Sequence, residues 1–263
     1  MLITLERILH LRLVCIAVTN FLGVFMSALS KTLVLPDQIL TPEELEVLRN
    51  ISSPTIANAI ETFDVRPRGE GYTNIGVQCF FPERGALLGY ACTAMIQSGQ
   101  PAAPKRLVSR TDYWEYVAQA PHSKISIVQD LSPVPLGAYF GEVNAHIHLA
   151  LGSLGVITNG TVRDVDEVRR TNFSVFASGM SVSHGYAHLE DFNREVTVFG
   201  MIVRPGDLIH ADQHGAVVIP NAIAREVATA ARALELAERE MIKLCKSDTF
   251  SIAALDKLIS AEY

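Results

Sequence analysis

The sequence predicts an α/β fold: one three-layer β/β/α domain with a parallel sheet, an antiparallel hairpin layer and a long C-terminal helix. Three observations carry the prediction. An apolar strand at Gly155–Thr158, a short charged helix at Val165–Arg170 and a second apolar strand at Phe173–Ala177 follow one another, and a strand–helix–strand order implies parallel pairing. Between Val196 and Ile219 the pattern changes to short strands separated by Gly200 and Pro205-Gly206-Asp207, which reads as antiparallel hairpins. From Ala222 to about Lys246, alanine and leucine recur at helical spacing among mixed charges, the pattern of a long amphipathic helix.

The elements follow in order. Thr41-Pro42-Glu43-Glu44 is a capping box with proline in the first turn and opens a helix to about Arg49. Ser53-Pro54 starts another, through Phe63. Ala86–Ile96 and Ile125–Gln129 are apolar runs bounded by glycine or charge and read as buried strands. Gly141 to Leu151 is helical. Val196–Phe199, Met201–Val203, Leu208–Ala211 and Gly215–Ile219 are the strands of the hairpin region. No internal repeat, low-complexity tract or interdomain linker interrupts residues 31–263.

Composition narrows the class of protein. A chain of 263 residues, 49% hydrophobic and 19% charged, has ample material for a buried core. A net charge of -6 argues against a nucleic-acid footprint, which needs a basic patch. Cys15, Cys79, Cys92 and Cys245 form no close metal-ligand pair and read as buried, reduced thiols of a cytoplasmic protein. Residues 1–30 form an apolar extension. Leu13–Ser30 carries no charge and follows Arg7, His10 and Arg12, as a signal peptide or short membrane anchor does. Thr19, Asn20 and Ser27 dilute it, and Met26 sits just ahead of the domain, so a mis-assigned start is the preferred reading, with export or anchoring left open.

The chemistry concentrates in Gly155-Val156-Ile157-Thr158-Asn159-Gly160-Thr161-Val162-Arg163-Asp164-Val165-Asp166-Glu167. An apolar strand runs into an Asn-Gly turn, which delivers an adjacent cation and carboxylate to a helix start. Gly141-Glu142-Val143-Asn144 opens another helix, whose free N–H groups can hold an anion. An anion cradle, a guanidinium fork and a carboxylate able to take a metal suit a 2-oxo acid polarised by a divalent ion. The plainer alternative makes Asn159-Gly160 an ordinary turn and Asp164 the side-chain cap of its helix, with Glu167 completing the start signal.

These motifs, with Arg204-Pro205-Gly206-Asp207-Leu208-Ile209-His210-Ala211-Asp212 and Gly215-Ala216-Val217-Val218-Ile219-Pro220, resemble the RraA-like family over residues 41 to 245. That family includes class II 4-hydroxy-4-methyl-2-oxoglutarate and 4-carboxy-4-hydroxy-2-oxoadipate aldolases and ribonuclease regulators. The resemblance implies a metal-dependent aldolase that cleaves a 4-hydroxy-2-oxo acid to pyruvate and a second oxo acid, with oxaloacetate decarboxylation as a side activity. The alternative is a non-catalytic regulator of a ribonuclease. Breaking the C3–C4 bond leaves an electron pair that the 2-keto group absorbs as an enolate, and the matching motif holds no lysine for a Schiff base.

By the same resemblance Asp164 is the metal ligand, and one carboxylate completed by water suits Mg²⁺ or Mn²⁺ better than zinc. Arg163 binds substrate and stabilises the enolate. The backbone of Gly141, Glu142, Val143 and Asn144 binds the pyruvyl carboxylate, and Glu142 holds metal-bound water. A glutamate from a neighbouring subunit's C-terminal helix, best matched by Glu240 with Glu238 and Glu235 as competitors, completes the site. That implies a homotrimer or hexamer with sites between subunits. Many members of the family carry Asp where this chain has Asn159.

The histidines suggest no metal centre. His146 and His148 point different ways on a helix. Gly185 breaks the His184–His188 spacing, and Asp212-Gln213-His214-Gly215 reads as a turn.

Overall fold

The computed structural model describes residues 39–104, 108–121 and 123–260. The apolar extension over residues 1–30 lies outside them. Two helices open the described chain, α1 (Pro42–Arg49) and α2 (Ser53–Glu61). Both halves of the expected capping box are made: Glu44 N–H donates to Thr41 Oγ1 at 3.2 Å, and Thr41 N–H to Glu44 Oε2 at 2.7 Å.

The strands of the first half are β1 (Gln78–Cys79), β2 (Leu87–Gln97), β3 (Lys124–Asp130), β4 (Ala138–Phe140), β5 (Ser153–Thr158) and β6 (Thr161–Val162). Those of the second are β7 (Ser174–Ala177), β8 (Gly179–Met180), β9 (His188–Phe192), β10 (Val196–Val198), β11 (Met201–Val203), β12 (Leu208–Asp212) and β13 (Gly215–Ile219). Between them lie α3 (Arg110–Gln119), α4 (Glu142–Ala150) and α5 (Val165–Arg169), followed by α6 (Ala224–Cys245) and α7 (Ile252–Ser260).

The main sheet runs β1-β7-β5-β3-β2-β12-β13. Its centre, β7-β5-β3-β2, is parallel, as the crossover order requires. The expected β12–β13 hairpin adds antiparallel to the free edge of β2, and β9 takes the remaining half of that edge. β10 and β11 form a separate hairpin, and β4, β6 and β8 form a small parallel sheet of their own.

Alternation along each strand builds two faces. Leu87, Ala91, Ile125, Ile127, Ile157 and Phe176 pack with Val196, Val198, Met201 and Val203 of the β10–β11 hairpin. The opposite side chains, including Cys92, Ala94, Val128, Val156 and Val175, meet α3, α4 and α5. Leu88 and Tyr90 continue that second face under α1, α2 and the first half of α6. Hairpin, sheet and helices are thus the three layers.

Some expectations need correction. Of the described cysteines only Cys92 is buried; Cys79 is half-buried, and Cys245 is exposed because it ends α6 beyond the part that packs on the domain. In α6 only Ala224, Val227 and Ala231 are buried, so the amphipathic stripe meets the core in its first half alone. The sequence reading missed α3 because just three of its residues, Tyr113, Tyr116 and Val117, are buried, too few to mark a period.

Two buried histidines shape the acid side of the stability curve. His148 Nδ1 donates to Asn144 O at 2.7 Å, and Nε2 accepts from Tyr113 Oη at 3.2 Å, so the ring is neutral. His210 Nδ1 lies 2.9 Å from Ser53 Oγ. Burial pushes both pKa values down from 6.5 to about 4. Because the unfolded chain takes up these protons first, stability is full above pH 6.5 and falls towards pH 4. The expected slope is at most about 1.4 kcal/mol per pH unit for each histidine. Urea midpoints measured between pH 7 and pH 4 should fall through this window, and His148→Gln should lessen the slope; an unchanged slope in the variant would show that His148 does not contribute.

Candidate active site

The site forms where β5 leaves the main sheet and the chain passes into the small one. Past Thr158, Asn159 stands in for the next residues of the ladder. Its Oδ1 accepts from Asp130 N–H at 2.7 Å, and its Nδ2 donates to Asp130 O at 2.9 Å. A carboxamide can do both; an aspartate in its place would keep the first bond and lose the second. The Asn-Gly pair is therefore not a hairpin turn. It is a transfer point between two sheets, with β5 in one and β6 in the other.

Asp130 is itself buried and fully used. Its Oδ1 accepts from Ser132 N–H at 2.9 Å, and its Oδ2 accepts from Ser98 Oγ. Ser98 Oγ also accepts from Leu136 N–H at 3.1 Å, and Ser98 O accepts from Tyr186 N–H at 3.3 Å. This network ties together the carboxyl ends of β2 and β3 and the loop before β9, the end of a parallel sheet at which ligands bind.

In the small sheet β4, β6 and β8 run parallel, and Arg163 N–H donates to Phe140 O at 3.0 Å. The next residue, Asp164, takes the left-handed conformation at φ 55° and ψ 38°. That turn re-aims its side chain. The carboxylate makes no cap on its own helix α5; Oδ2 accepts from Glu142 N–H at 3.2 Å, at the start of α4. The sequence-based reading of Asp164 as the cap of the helix it precedes is thus corrected: it caps the neighbouring one. Oδ2 also lies 3.4 Å from Arg163 Nε.

Glycine at 141 lets the carboxylate come this close. A Cβ there would stand 2.4 Å from Asp164 Oδ2 and 3.1 Å from Arg163 Cγ. At the other end of α5, the Arg84 guanidinium donates to the carbonyls of Val168, Arg169, Thr171 and Phe173, and lies 4.0 Å over the Phe81 ring. The short helix is fixed at both ends, and with it the Arg163–Asp164 pair.

A cavity of about 300 Å³ opens over this pair, lined by Gly141, Val143, Asn144, Arg163 and Asp164 from the expected set. Glu142 contributes its backbone N–H, already engaged by Asp164, while its side chain is exposed and outside the lining. The anion cradle therefore narrows to the N–H groups of Val143 and Asn144, which have no partner among the described residues. Glu240 lies on the exposed half of α6, 3.7 Å from Lys243, and is not brought to this cavity within one chain.

Five lining residues escaped the sequence reading: Arg110, Ala138, Tyr139, Ala187 and, as a site residue, His184. Arg110 opens α3 and His184 stands in the loop between β8 and β9, far apart in sequence, and no short motif marks them. Two further histidines bond elsewhere: His188 to Tyr186 O and Glu190, and His214 to Asp212. Among the described residues no cluster of three or more His, Cys, Asp or Glu side chains is placed to hold a metal. The donor set is one carboxylate, with Oδ2 engaged and Oδ1 facing no protein donor. That fits an ion keeping most of its waters and does not fit zinc.

The close approach at Gly141 is testable by Gly141→Ala. The methyl must displace the Asp164 carboxylate, breaking its bond to Glu142 N–H, at a cost of about 1–3 kcal/mol. Thermal unfolding should register the loss, and a crystal structure should show the carboxylate moved; an unmoved carboxylate and unchanged melting temperature would refute it.

Comparison with known proteins agrees with this architecture. The chain is 28% identical over 128 residues to Protein DlpA of Legionella pneumophila, covering 48% of this chain and 21% of that one. It is 32% identical over 107 residues to a Hahella chejuensis protein named "Putative 4-hydroxy-4-methyl-2-oxoglutarate aldolase", covering 40% of this chain and 65% of that one. The chain thus spans less than two thirds of the length of these relatives. Streptomyces coelicolor RraAS2, described as an unusual member of the RNase ES inhibitor RraA protein family, shares the fold at a TM-score of 0.61 and 22% identity, over 78% of this chain and 98% of that one. A family model described as RraA-like: Aldolase/RraA matches residues 53–218, which contain the sheet, the Gly141 helix start and the Arg163–Asp164 pair, and the chain belongs to the RraA-like family.

Proposed function

We propose that this protein is a divalent-metal-dependent aldolase that cleaves a 4-hydroxy-2-oxo acid to pyruvate and a second oxo acid, and that also decarboxylates oxaloacetate. The observation that carries the reading is the Arg163–Asp164 pair set over the start of α4 in a polar cavity. Relatives named as aldolases of this class support it.

Asp164 Oδ1 is the atom that would hold Mg²⁺ or Mn²⁺, and the bound ion supplies Lewis-acid polarisation of the 2-keto oxygen. The protein's own groups do the rest. Val143 and Asn144 N–H groups bind the pyruvyl carboxylate at the positive end of α4. The Arg163 guanidinium, planar and permanently charged, grips carboxylate and keto oxygens and stabilises negative charge as the C3–C4 bond breaks. Arg110 adds a second cation to the lining and suits the far carboxylate of a diacid such as 4-hydroxy-4-methyl-2-oxoglutarate. Glu142 and, from a second copy, Glu240 are assigned to the water around the ion. Leu236 and Ile242, exposed on the same half of α6 as Glu240, are apolar surface that a homotrimer or hexamer would cover.

The alternative, a non-catalytic regulator of a ribonuclease, needs the fold but not a paired guanidinium and carboxylate in a cavity. Pyruvate release from a panel of 4-hydroxy-2-oxo acids and oxaloacetate, with Mg²⁺ and with a chelator, separates the two. Asp164→Ala should abolish metal-dependent turnover. Arg163→Lys keeps the charge but loses the fork, and kcat/KM should fall about 100-fold, or about 2.7 kcal/mol. Near-normal turnover in Asp164→Ala, or a loss below about threefold in Arg163→Lys on that scale, would sink the assignment.

Shared sites predict complementation. Inactive Arg163→Ala and Glu240→Ala chains, refolded together, should regain activity in hybrids that pair an intact Arg163 with an intact Glu240, and size measurements should give a trimer or its multiple. A fully active monomer would rule the shared site out.

A further inference from the structure

A second cavity of about 300 Å³ lies at the opposite end of the main sheet, where β2, β5 and β7 begin. Two cations border it: Arg49, which ends α1, and Arg84. Asn172 and Ser174, at the entry to β7, add neutral polar groups, and Leu87 and Leu154 add apolar wall. No carboxylate belongs to the lining, so nothing here plays the part that Asp164 plays beside Arg163. Asp212, at the same end of the sheet, is engaged by Ser53 N–H at 2.8 Å and by His214.

The donors of this cavity are not all used by the protein. Arg49 Nη1 lies 3.4 Å from the exposed Glu46, while Arg49 Nε is buried with no hydrogen-bond partner among the described residues. A buried donor in that state is unfavourable until an acceptor meets it. Among the described residues, the side chains of Asn172 and Ser174 make no hydrogen bond. Arg84 is held in place by the carbonyls of Val168, Arg169 and Thr171, none of which neutralises its charge. The floor is equally fixed: Gly155 pairs with Ser174, and a Cβ on it would stand 3.0 Å from both Ser174 Cβ and Leu87 Cδ2.

We propose that this cavity is a binding site for a short dicarboxylate, separate from the site over Arg163 and independent of the aldolase reading. Two guanidinium charges with no acid among them call for a dianion. The planar arginine fork matches a carboxylate, and two arginines from separate elements suit a ligand with two of them. A short methylene body between the carboxylates covers Leu87 and Leu154. Inorganic phosphate carries similar charge but is too small to cover those walls. Asn172 and Ser174 donate to the oxygens that the arginines leave free.

Succinate is the probe, with Mg²⁺ omitted and Arg163→Ala as the host chain, so that the other cavity lacks its guanidinium. Calorimetry should show saturable binding of one succinate per chain. Adding Arg49→Gln to that host should weaken binding about tenfold or more, as the loss of a charge-assisted hydrogen bond does. Asn172→Asp sets a carboxylate at the edge of the cavity on an exposed residue and should weaken binding by about the same factor while circular dichroism stays unchanged. Inorganic phosphate should bind more weakly than succinate, and sodium chloride at matched ionic strength should not displace succinate. No saturable binding to the Arg163→Ala host, or an unchanged affinity in folded Arg49→Gln, would overturn the proposal. If Arg49→Gln fails to fold, an unchanged affinity in Asn172→Asp overturns it instead. Phosphate binding as tightly as succinate would overturn the dicarboxylate class.

Discussion

The pairing of Asn159 with the backbone of Asp130 is the constraint on which the site depends. At the carboxyl end of β5 the chain must leave the sheet, and leaving a ladder strands an N–H and a C=O on the neighbouring strand. Asn159 satisfies both from one side chain, at 2.7 and 2.9 Å. The freed main chain can then enter the small sheet, where β6 lies between β4 and β8 and sets Arg163 beside Phe140. The Asp130 carboxylate, held by Ser98 and Ser132, extends the same junction to β2 and to the loop that carries His184.

From this junction the geometry of the site follows by steric necessity. Asp164 turns left-handed, a conformation in which a short polar side chain is tolerated. Its carboxylate lands on the first free N–H of α4, and the approach is so close that a side chain at residue 141 would have to displace it. One oxygen is thereby committed to the protein and the other is left for a ligand. Arg84, gathering four carbonyls at the far end of α5, keeps that short helix from drifting.

The layered fold separates stability from chemistry. The apolar faces of the main sheet are closed by helices on one side and the β10–β11 hairpin on the other, and the buried histidines His148 and His210 serve packing and hydrogen bonding there. The polar groups of the cavity lie instead on strand ends and loops beyond the sheet. Those segments can vary their contacts without opening the core. The apolar residues on the second half of α6 stand apart from both, beyond the stretch that packs against α2.

The sequence alone determined the elements whose periodicity is strong: the parallel strands, the hairpin strands, the capping-box helix and the long α6 all stand where the pattern puts them. It also singled out Arg163, Asp164 and the Gly141 helix start, because adjacent chemistry and a glycine-opened helix are local signals. Only the tertiary structure decided which helix Asp164 caps, since that depends on a left-handed turn and a neighbour 22 residues away. It likewise made the Asn-Gly turn a passage between sheets, and brought Arg110 at the start of α3 and His184 of the β8–β9 loop to one cavity. Periodic burial is written along the chain one element at a time, whereas convergence of polar side chains depends on loop paths that the backbone hydrogen bonds of other elements fix.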